Sequence, residues 1–290
     1  TKDMVNRLPV AKYTECRWKL ACSGILAVAG LLMLLQPLCG DEKPTAPLKL
    51  LMVTGGSSHD YDNQKIILSE GIAARANVVW TIAHEGGKDR NQKIPVFQKA
   101  NWAAGYDAIV HNQCFGGVVD VPFIEGIARA HAEGTPAVIL HCSTHSYRNA
   151  KTDAWRKVVG VSSFSHEKHR PLTVRNLAAA HPVMQGFPKA WKTPAGELYK
   201  IEKLWPNCQP LATAFGVDTQ KDHVCVWTNH HGKGRVFGTT IGHHNTTMRE
   251  KIYLDLVTRG LLWACDKLRD DGTPQAGYGV KREGGQGRGN

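Results

Sequence analysis

The chain of 290 residues contains no Cys-x-x-Cys, no His-Glu-x-x-His and no Gly-x-Gly-x-x-Gly. Their absence removes the short spacings that announce a structural zinc site, a zinc-protease helix or a dinucleotide fingerprint, so no dinucleotide cofactor is expected. Helix-turn-helix, zinc-finger and RNA-binding signatures are missing as well, and no internal repeat is visible. Acidic residues are scarce: 25 Asp and Glu face 36 Lys and Arg, a formal charge of +11. That excess does not form a stripe. Lys2, Arg7, Lys12, Arg17 and Lys19 precede the apolar N-terminal run, Lys281, Arg282 and Arg288 sit in the last ten residues, and the rest is scattered. No nucleic-acid partner is expected from such a distribution. A hydrophobic content of 42% excludes a disordered chain, and the length allows one large α/β core or two small domains.

Residues 20–35 (LACSGILAVAGLLMLL) follow Arg17 and Lys19 and precede Pro37, Cys39-Gly40 and the polar stretch DEKPTAP. A charged region, an apolar region and a turn-rich boundary make residues 1–40 a secretory signal or a retained N-terminal anchor. The expected location is therefore outside the cytoplasm, periplasmic or membrane-anchored and facing outward, with the membrane touched only by this segment. Lipidation of Cys39 fits poorly, because Gln36-Pro37-Leu38 lacks the small residues that should precede a modified Cys. Residues 41–47 read as a linker. Cys114, Cys142, Cys208, Cys225 and Cys265 follow it, an odd number at spacings that assign no disulfide.

Apolar runs at 48–53, 77–83, 106–110 and 136–140 alternate with helical segments at 63–76 and 123–132. Strands apolar throughout and alternating with helices imply a parallel sheet covered on both faces. Pro122 and Gly134 bracket the second helix as caps should. Residues 224–228 and 236–241, joined by His230-His231-Gly232-Lys233-Gly234, read as a hairpin. Thr247-x-x-Glu250 reads as a capping box before a final helix with Ile252, Tyr253, Leu256, Val257, Gly260, Leu261 and Ala264 on one face. The section 160–217 is expected to be an insertion covering the sheet, and 269–290 a disordered, basic, Gly-rich tail. The fold class is thus α/β: a mostly parallel central sheet with helices on both faces in one domain, residues 48–268, with a middle insertion.

Ligands of open α/β sheets bind beyond the carboxyl ends of the strands. Histidine recurs there: His59, His84, His111, His141 and His243 each follow a predicted strand. Imidazole suits proton transfer near neutral pH and the binding of zinc-like metals, so the cluster points to acid–base work, a metal, or both. His59, His141, His243 and Cys142 are the catalytic candidates. Cys142 sits where a nucleophile elbow would lie, without the flanking Gly residues of such an elbow, and is otherwise a buried Cys. His141, His145, His243 and His244 are candidate ligands for a divalent, zinc-like metal. Gly56, Asp60, His166, His169, Glu197 and Tyr199 are candidate substrate contacts. Gly55-Gly56 is either a tight turn or an oxyanion contact. Trp191, Tyr199 and Trp205 are core aromatics or a sugar-stacking wall.

Four stretches together resemble the ThuA-like (trehalose utilisation) family, whose fold is flavodoxin-like and similar to that of class I glutamine amidotransferases. They are LLMVTGGSSHDY, AVILHCSTHSYR with the residues on to His166, HPVMQGFPKAW leading into GELY, and VWTNHHGKGRVFGTTIGHH followed by RGLLWA. The likeness spans residues 48–268 and places His59, His141, His166 and His243 in the pocket. It implies catabolism of disaccharides through 3-keto-glycosides, by hydrolysis, elimination or isomerisation, with a sugar derivative as the small-molecule partner and a homo-oligomer as a possible assembly. On that reading His141 or His243 removes a proton beside the keto group, and a metal or the Gly56 N–H holds the enolate oxygen. A non-catalytic sugar-binding protein and a Cys-dependent hydrolase or amidase are the alternatives. The absence of a His-x-Glu near the end of the chain argues against glutaminase chemistry.

Overall fold

A computed structural model describes residues 45–280. The signal or anchor at 1–40 and the last ten residues lie outside the described part. Strand β1 (Leu48–Gly56) leads through α1 (Tyr61–Ala73) to β2 (Val78–His84), then to β3 (Ala108–Cys114), α2 (Val121–Ala132) and β4 (Ala137–Leu140). A single 3-10 turn, His141–His145, and α3 (Ala154–Val159) follow. The middle section supplies β5 (Val161–His166), β6 (Thr173–Asn176), β7 (Ala190–Lys192), β8 (Tyr199–Leu204) and β9 (Gln209–Gly216). The chain closes with β10 (Lys221–His231), β11 (Gly234–Thr239), α4 (Asn245–Met248) and α5 (Lys251–Ala264).

These strands form one nine-stranded sheet in the order β2-β1-β3-β4-β11-β10-β9-β6-β7. The first five are parallel, and the pairs from β11–β10 onward are antiparallel. Alternation along β1 explains the two-sided core. Leu48, Leu50 and Met52 face one cluster with Ile67, Leu68 and Ile72 of α1 and Tyr253, Leu256, Val257 and Leu261 of α5. Leu51 and Val53 face another with Ile124 and Ile127 of α2 and Trp155 and Val158 of α3. Successive side chains of a strand point to opposite faces, so a strand covered by helices on both sides must be apolar at every position.

Four sequence expectations change. The middle section is more than a cover: β6, β7 and β9 extend the main sheet, and β5 pairs with β8 in a separate ribbon. Strand β3 runs on to Cys114, so His111 lies inside the strand and buried rather than at its end. The capping box does not form, because Thr247 Oγ1 donates to the Ala195 carbonyl (2.6 Å) and accepts from Ala195 N (3.3 Å), while Glu250 itself becomes the N-cap residue of α5. Residues 269–280 of the expected tail pack onto the domain instead. Gly279 bridges Ala76, and Asn77 binds the carbonyls of Gly277 and Tyr278. Among the described residues no helix is long and apolar enough to cross a membrane.

Candidate functional site

The reversal of strand order beside β1 opens a crevice at the carboxyl ends of β1, β3, β4 and β11, where ligands of such sheets bind. Local chemistry makes each turn there. Gly56 has φ 106°, and a Cβ on it would lie 2.3 Å from the Cys114 carbonyl, so only glycine lets β1 turn this close to β3. Gly242 has φ 116° and abuts the Tyr253 hydroxyl, which sets the direction in which His243 leaves β11. His141 sits at φ 44° immediately after β4. A non-glycine residue pays for that conformation, and such strain gathers at functional sites.

Three imidazoles and one carboxylate meet in this crevice. His59 Nε2 and His141 Nε2 each stand 3.1 Å from His243 Nδ1, and Glu197 Oε2 lies 3.1 Å from His141 Nε2 and 3.3 Å from His243 Nδ1. The hydrogen bonds on the far sides of the rings fix where the protons are. His141 Nδ1–H donates to the Thr240 carbonyl (2.7 Å), and His59 Nδ1–H is shared between the Ser57 carbonyl and the Tyr61 hydroxyl, each at 3.2 Å. A carbonyl can only accept, so both Nε2 atoms present lone pairs inward while the rings are neutral. Burial, reinforced by the neighbouring imidazoles, holds His59 neutral down to about 3. Burial also lowers the pKa of His141, against the pull of Glu197. Burial alone would raise the Glu197 carboxyl, but the imidazoles around it outweigh this and hold it well below the usual carboxylate range, so Oε2 is an acceptor too. Four acceptor atoms therefore face one point, and a single hydrogen on His243 Nδ1 cannot serve the other three.

A divalent cation can serve all four. Ligands about 2.0–2.1 Å from a tetrahedral zinc ion stand about 3.3 Å apart, close to the spacing found. A ligating histidine ordinarily gives its other N–H to a carbonyl or carboxylate, as His59 and His141 do. Glu197 is 5% exposed and delivers its carboxylate from the segment between β7 and β8. That segment is pinned on both sides of Glu197: Thr247 clamps Ala195, Arg170 N binds the Gly196 carbonyl, and Glu167 N binds the Leu198 carbonyl. The second carboxylate oxygen, Oε1, accepts from His169 Nε2 (2.9 Å) and lies 3.1 Å from His166 Nδ1, which also reaches the Glu167 carbonyl at 2.9 Å.

The expected residues divide accordingly. His59, His141, His243 and Glu197 come together as a group that could hold a metal ion. His166 and His169 sit against its outer oxygen. His244 meets His243 and His169 edge-on at the rim, where burial and the neighbouring histidines lower its pKa. His145 is not with the four ligand atoms: it stacks flat on Tyr199 (3.9 Å between ring centres) and bonds Ser163, and burial with the Arg148 charge pushes its pKa down to about 2. Tyr199 is buried, with its hydroxyl 3.4 Å from His141 Nε2. Asp60 caps α1 and holds Asn245. The Gly56 N–H is spent on the Gly87 carbonyl, so it offers nothing to an oxyanion. His84 pairs with Lys65 on the surface, His111 turns inward to His131, and Trp191 packs in the core against Phe187.

Cys142 is not a free thiol. It forms a disulfide with Cys114, linking the ends of β3 and β4 beside the site, and this removes the basis for a Cys nucleophile. Closing a loop of 28 residues stabilises a fold by about 3 kcal/mol. Cys142→Ser is expected to lower the unfolding free energy by about 2–4 kcal/mol, measured by urea denaturation under non-reducing conditions. An unchanged midpoint would mean the bond is not formed.

A family model described as ThuA, trehalose utilisation, matches residues 49–264. The chain belongs to this family. Among solved structures, a ThuA-like protein from Parabacteroides merdae superposes with a TM-score of 0.64 at 18% identity, covering 81% of this chain and 98% of that one. A second from Bacteroides uniformis gives 0.61 at 14% identity, again over 81% and 98%. At these identities the likeness shows the shared fold. No curated protein matches the sequence. Two residues carry no role in the sequence reading: Arg148, the last residue of AVILHCSTHSYR, and Arg90, which lies in none of the four stretches, both line the recess next to Glu197.

Proposed function

We propose that this ThuA-family chain is an enzyme of carbohydrate catabolism that acts on 3-keto-glycosides, with a divalent cation held by His59, His141, His243 and Glu197. The observation that carries the reading is the convergence of two imidazole lone pairs, His243 Nδ1 and a carboxylate oxygen: His243 Nδ1 lies 3.1 to 3.3 Å from the other three, Glu197 Oε2 lies 3.1 Å from His141 Nε2, and all four atoms lie within 4.8 Å of one another. Around them lies a recess of about 120 Å³ lined by Ser57, Ser58, His59, His166, Glu197 and Tyr199. It shares Ser57, Ser58, His59 and His243 with a wider cleft of about 630 Å³, room enough for the remainder of a disaccharide.

A 3-keto group makes the C2–H of its own ring acidic. A base takes that proton, the C1–O bond breaks, a C1=C2 double bond forms, and the aglycone leaves as its alcohol after protonation. A bound cation would stabilise charge on the keto oxygen. With His141 and His243 assigned to the cation, the base falls to His166. Its Nδ1 faces Glu197 and the Glu167 carbonyl, and its Nε2 has no protein partner among the described residues. His166→Asn is expected to lower kcat by about 10²–10⁴-fold while leaving the metal content intact.

The test is turnover of a 3-keto-disaccharide by the purified chain before chelation, after it, and after refilling with zinc. Activity lost and restored supports the reading. Metal without turnover would favour a sugar-binding protein, and activity indifferent to chelation would return the histidines to pure acid–base roles. The Cys114–Cys142 disulfide also favours an oxidising compartment, in keeping with an export segment at 1–40. Protease added to intact cells should then degrade the protein once the outer layer is opened, and protection until lysis would contradict export.

A further inference from the structure

The recess beside Glu197 has a basic wall without a counter-ion. Arg90 and Arg148 both line it, and its one carboxylate, Glu197, is already engaged by His141, His166, His169 and His243. Arg75, Arg156, Arg170, Arg175 and Arg235 all pair with carboxylates. Arg90 and Arg148 pair with none among the described residues. Arg148 is half-buried, and only its Nη1 is committed, to the Phe164 carbonyl at 3.1 Å and towards His145 Nδ1 at 3.4 Å. Gly116 makes the room for it: a Cβ there would stand 3.4 Å from Arg148 Nε. His145 cannot compensate the charge, since it is neutral and is itself disfavoured from ionising by Arg148.

Arg90 is exposed and Arg148 half-buried; a guanidinium partly withdrawn from water without a charged partner is costly, and its planar fork matches a carboxylate or phosphate with two parallel hydrogen bonds. The recess is too small for a sugar ring with its aglycone but takes one oxyanion group and the ring edge beside it. We propose that the substrate is an anionic sugar derivative, whose carboxylate or phosphate is held by Arg148 with Arg90 while its ring faces the His59–His141–His243–Glu197 cluster. The substrate class rests on the enzyme reading above, whereas the anion subsite stands on the two arginines alone.

Two experiments separate them. Calorimetry of the full chain with glucuronate, glucose 6-phosphate and glucose reads the subsite without any turnover. Glucuronate or the phosphate should bind at least ~10-fold more tightly than glucose, and the better of the two tells a carboxylate site from a phosphate site. Arg148→Gln should bring that ratio close to one, and Arg148→Lys should recover part of it. Equal binding of all three ligands, or a preference that survives both Arg148→Gln and Arg90→Gln, would overturn the subsite. The second experiment compares kcat/KM for a neutral 3-keto-glucoside, the matching 3-keto-glucuronide and the 6-phosphate. An anionic substrate favoured by ~10-fold or more supports the substrate class, and a neutral one used equally well overturns it while sparing the enzyme reading. If none turns over, the enzyme reading fails and the substrate class with it, while calorimetry still decides the subsite.

Discussion

His243→Ala and Glu197→Ala are each expected to lower zinc affinity by more than ~100-fold. Both residues supply an atom directly to the cluster, whereas loss of an outer partner of a metal ligand typically costs 10–100-fold. His243 has the larger geometric share, because its Nδ1 is within 3.3 Å of the other three donors. Removing Glu197 also leaves His169 Nε2 without its acceptor and His166 Nδ1 with the Glu167 carbonyl alone, and takes the one negative charge from the recess. His84→Ala serves as the control, since His84 ends a strand of the same sheet but pairs with Lys65 outside the site. Competition titrations with a chromophoric chelator read all three. Equal affinities across the set would mean that zinc is held elsewhere or not at all.

The second large effect is acid sensitivity, and it originates away from the site. In the core, Gln113 Nε2–H donates to His111 Nδ1, His111 Nε2–H to His131 Nε2, and His131 Nδ1–H to the Thr135 carbonyl, at 3.0, 3.0 and 2.8 Å. The direction of this chain is forced from both ends, by an amide that only donates there and a carbonyl that only accepts. It requires both rings neutral. Burial lowers His131 to about 4, and burial with the neighbouring His131 lowers His111 well below its usual value. The folded protein therefore binds protons less readily than the unfolded chain. This stability is complete above about pH 6.5 and is lost as the pH falls from there towards 4. A shift from 6.5 to about 4 is worth about 3 kcal/mol for His131 alone. Urea midpoints should fall steeply between pH 7 and 5. A His111→Phe/His131→Leu double variant should show a shallower fall, because the two most deeply buried of the histidines outside the site then no longer contribute. Identical profiles for the two proteins would remove the pair from the explanation.

The fold was legible where packing follows periodicity. Continuous apolar runs marked the parallel strands because both faces of the sheet are covered, and the stripe on α5 marked the face laid on β11. The antiparallel half was harder. β6, β7 and β8 are only 3–6 residues long and separated by Pro and turn residues, and the pairing of β6 with β9, β7 with β6 and β8 with β5 depends on partners distant in sequence. At the site, His59, His141 and His243 were visible because each follows a strand of the same sheet. His111 satisfied the same rule by a misplaced strand end, and His145 by nearness in sequence to His141. Glu197 was visible as a pocket residue but not as a ligand, because no local spacing links it to the histidines. Its position depends on Thr247, which the sequence offers as a helix cap and the fold uses as a clamp. The Cys114–Cys142 bond was hidden for the same reason: two strand ends become neighbours only when β3 and β4 pair.

The central claim is that the imidazoles of His59, His141 and His243 and the carboxylate of Glu197 hold one divalent cation. Zinc K-edge X-ray absorption on the purified chain carrying one equivalent of zinc tests it most directly. The account predicts four nitrogen and oxygen neighbours at about 2.0–2.1 Å, outer-shell scattering from three imidazole rings, and no sulfur. Sulfur at about 2.3 Å would mean that Cys114 and Cys142 are ligands rather than a disulfide. A zinc ion surrounded by oxygen alone, or one lost on simple dialysis, would contradict the centre itself.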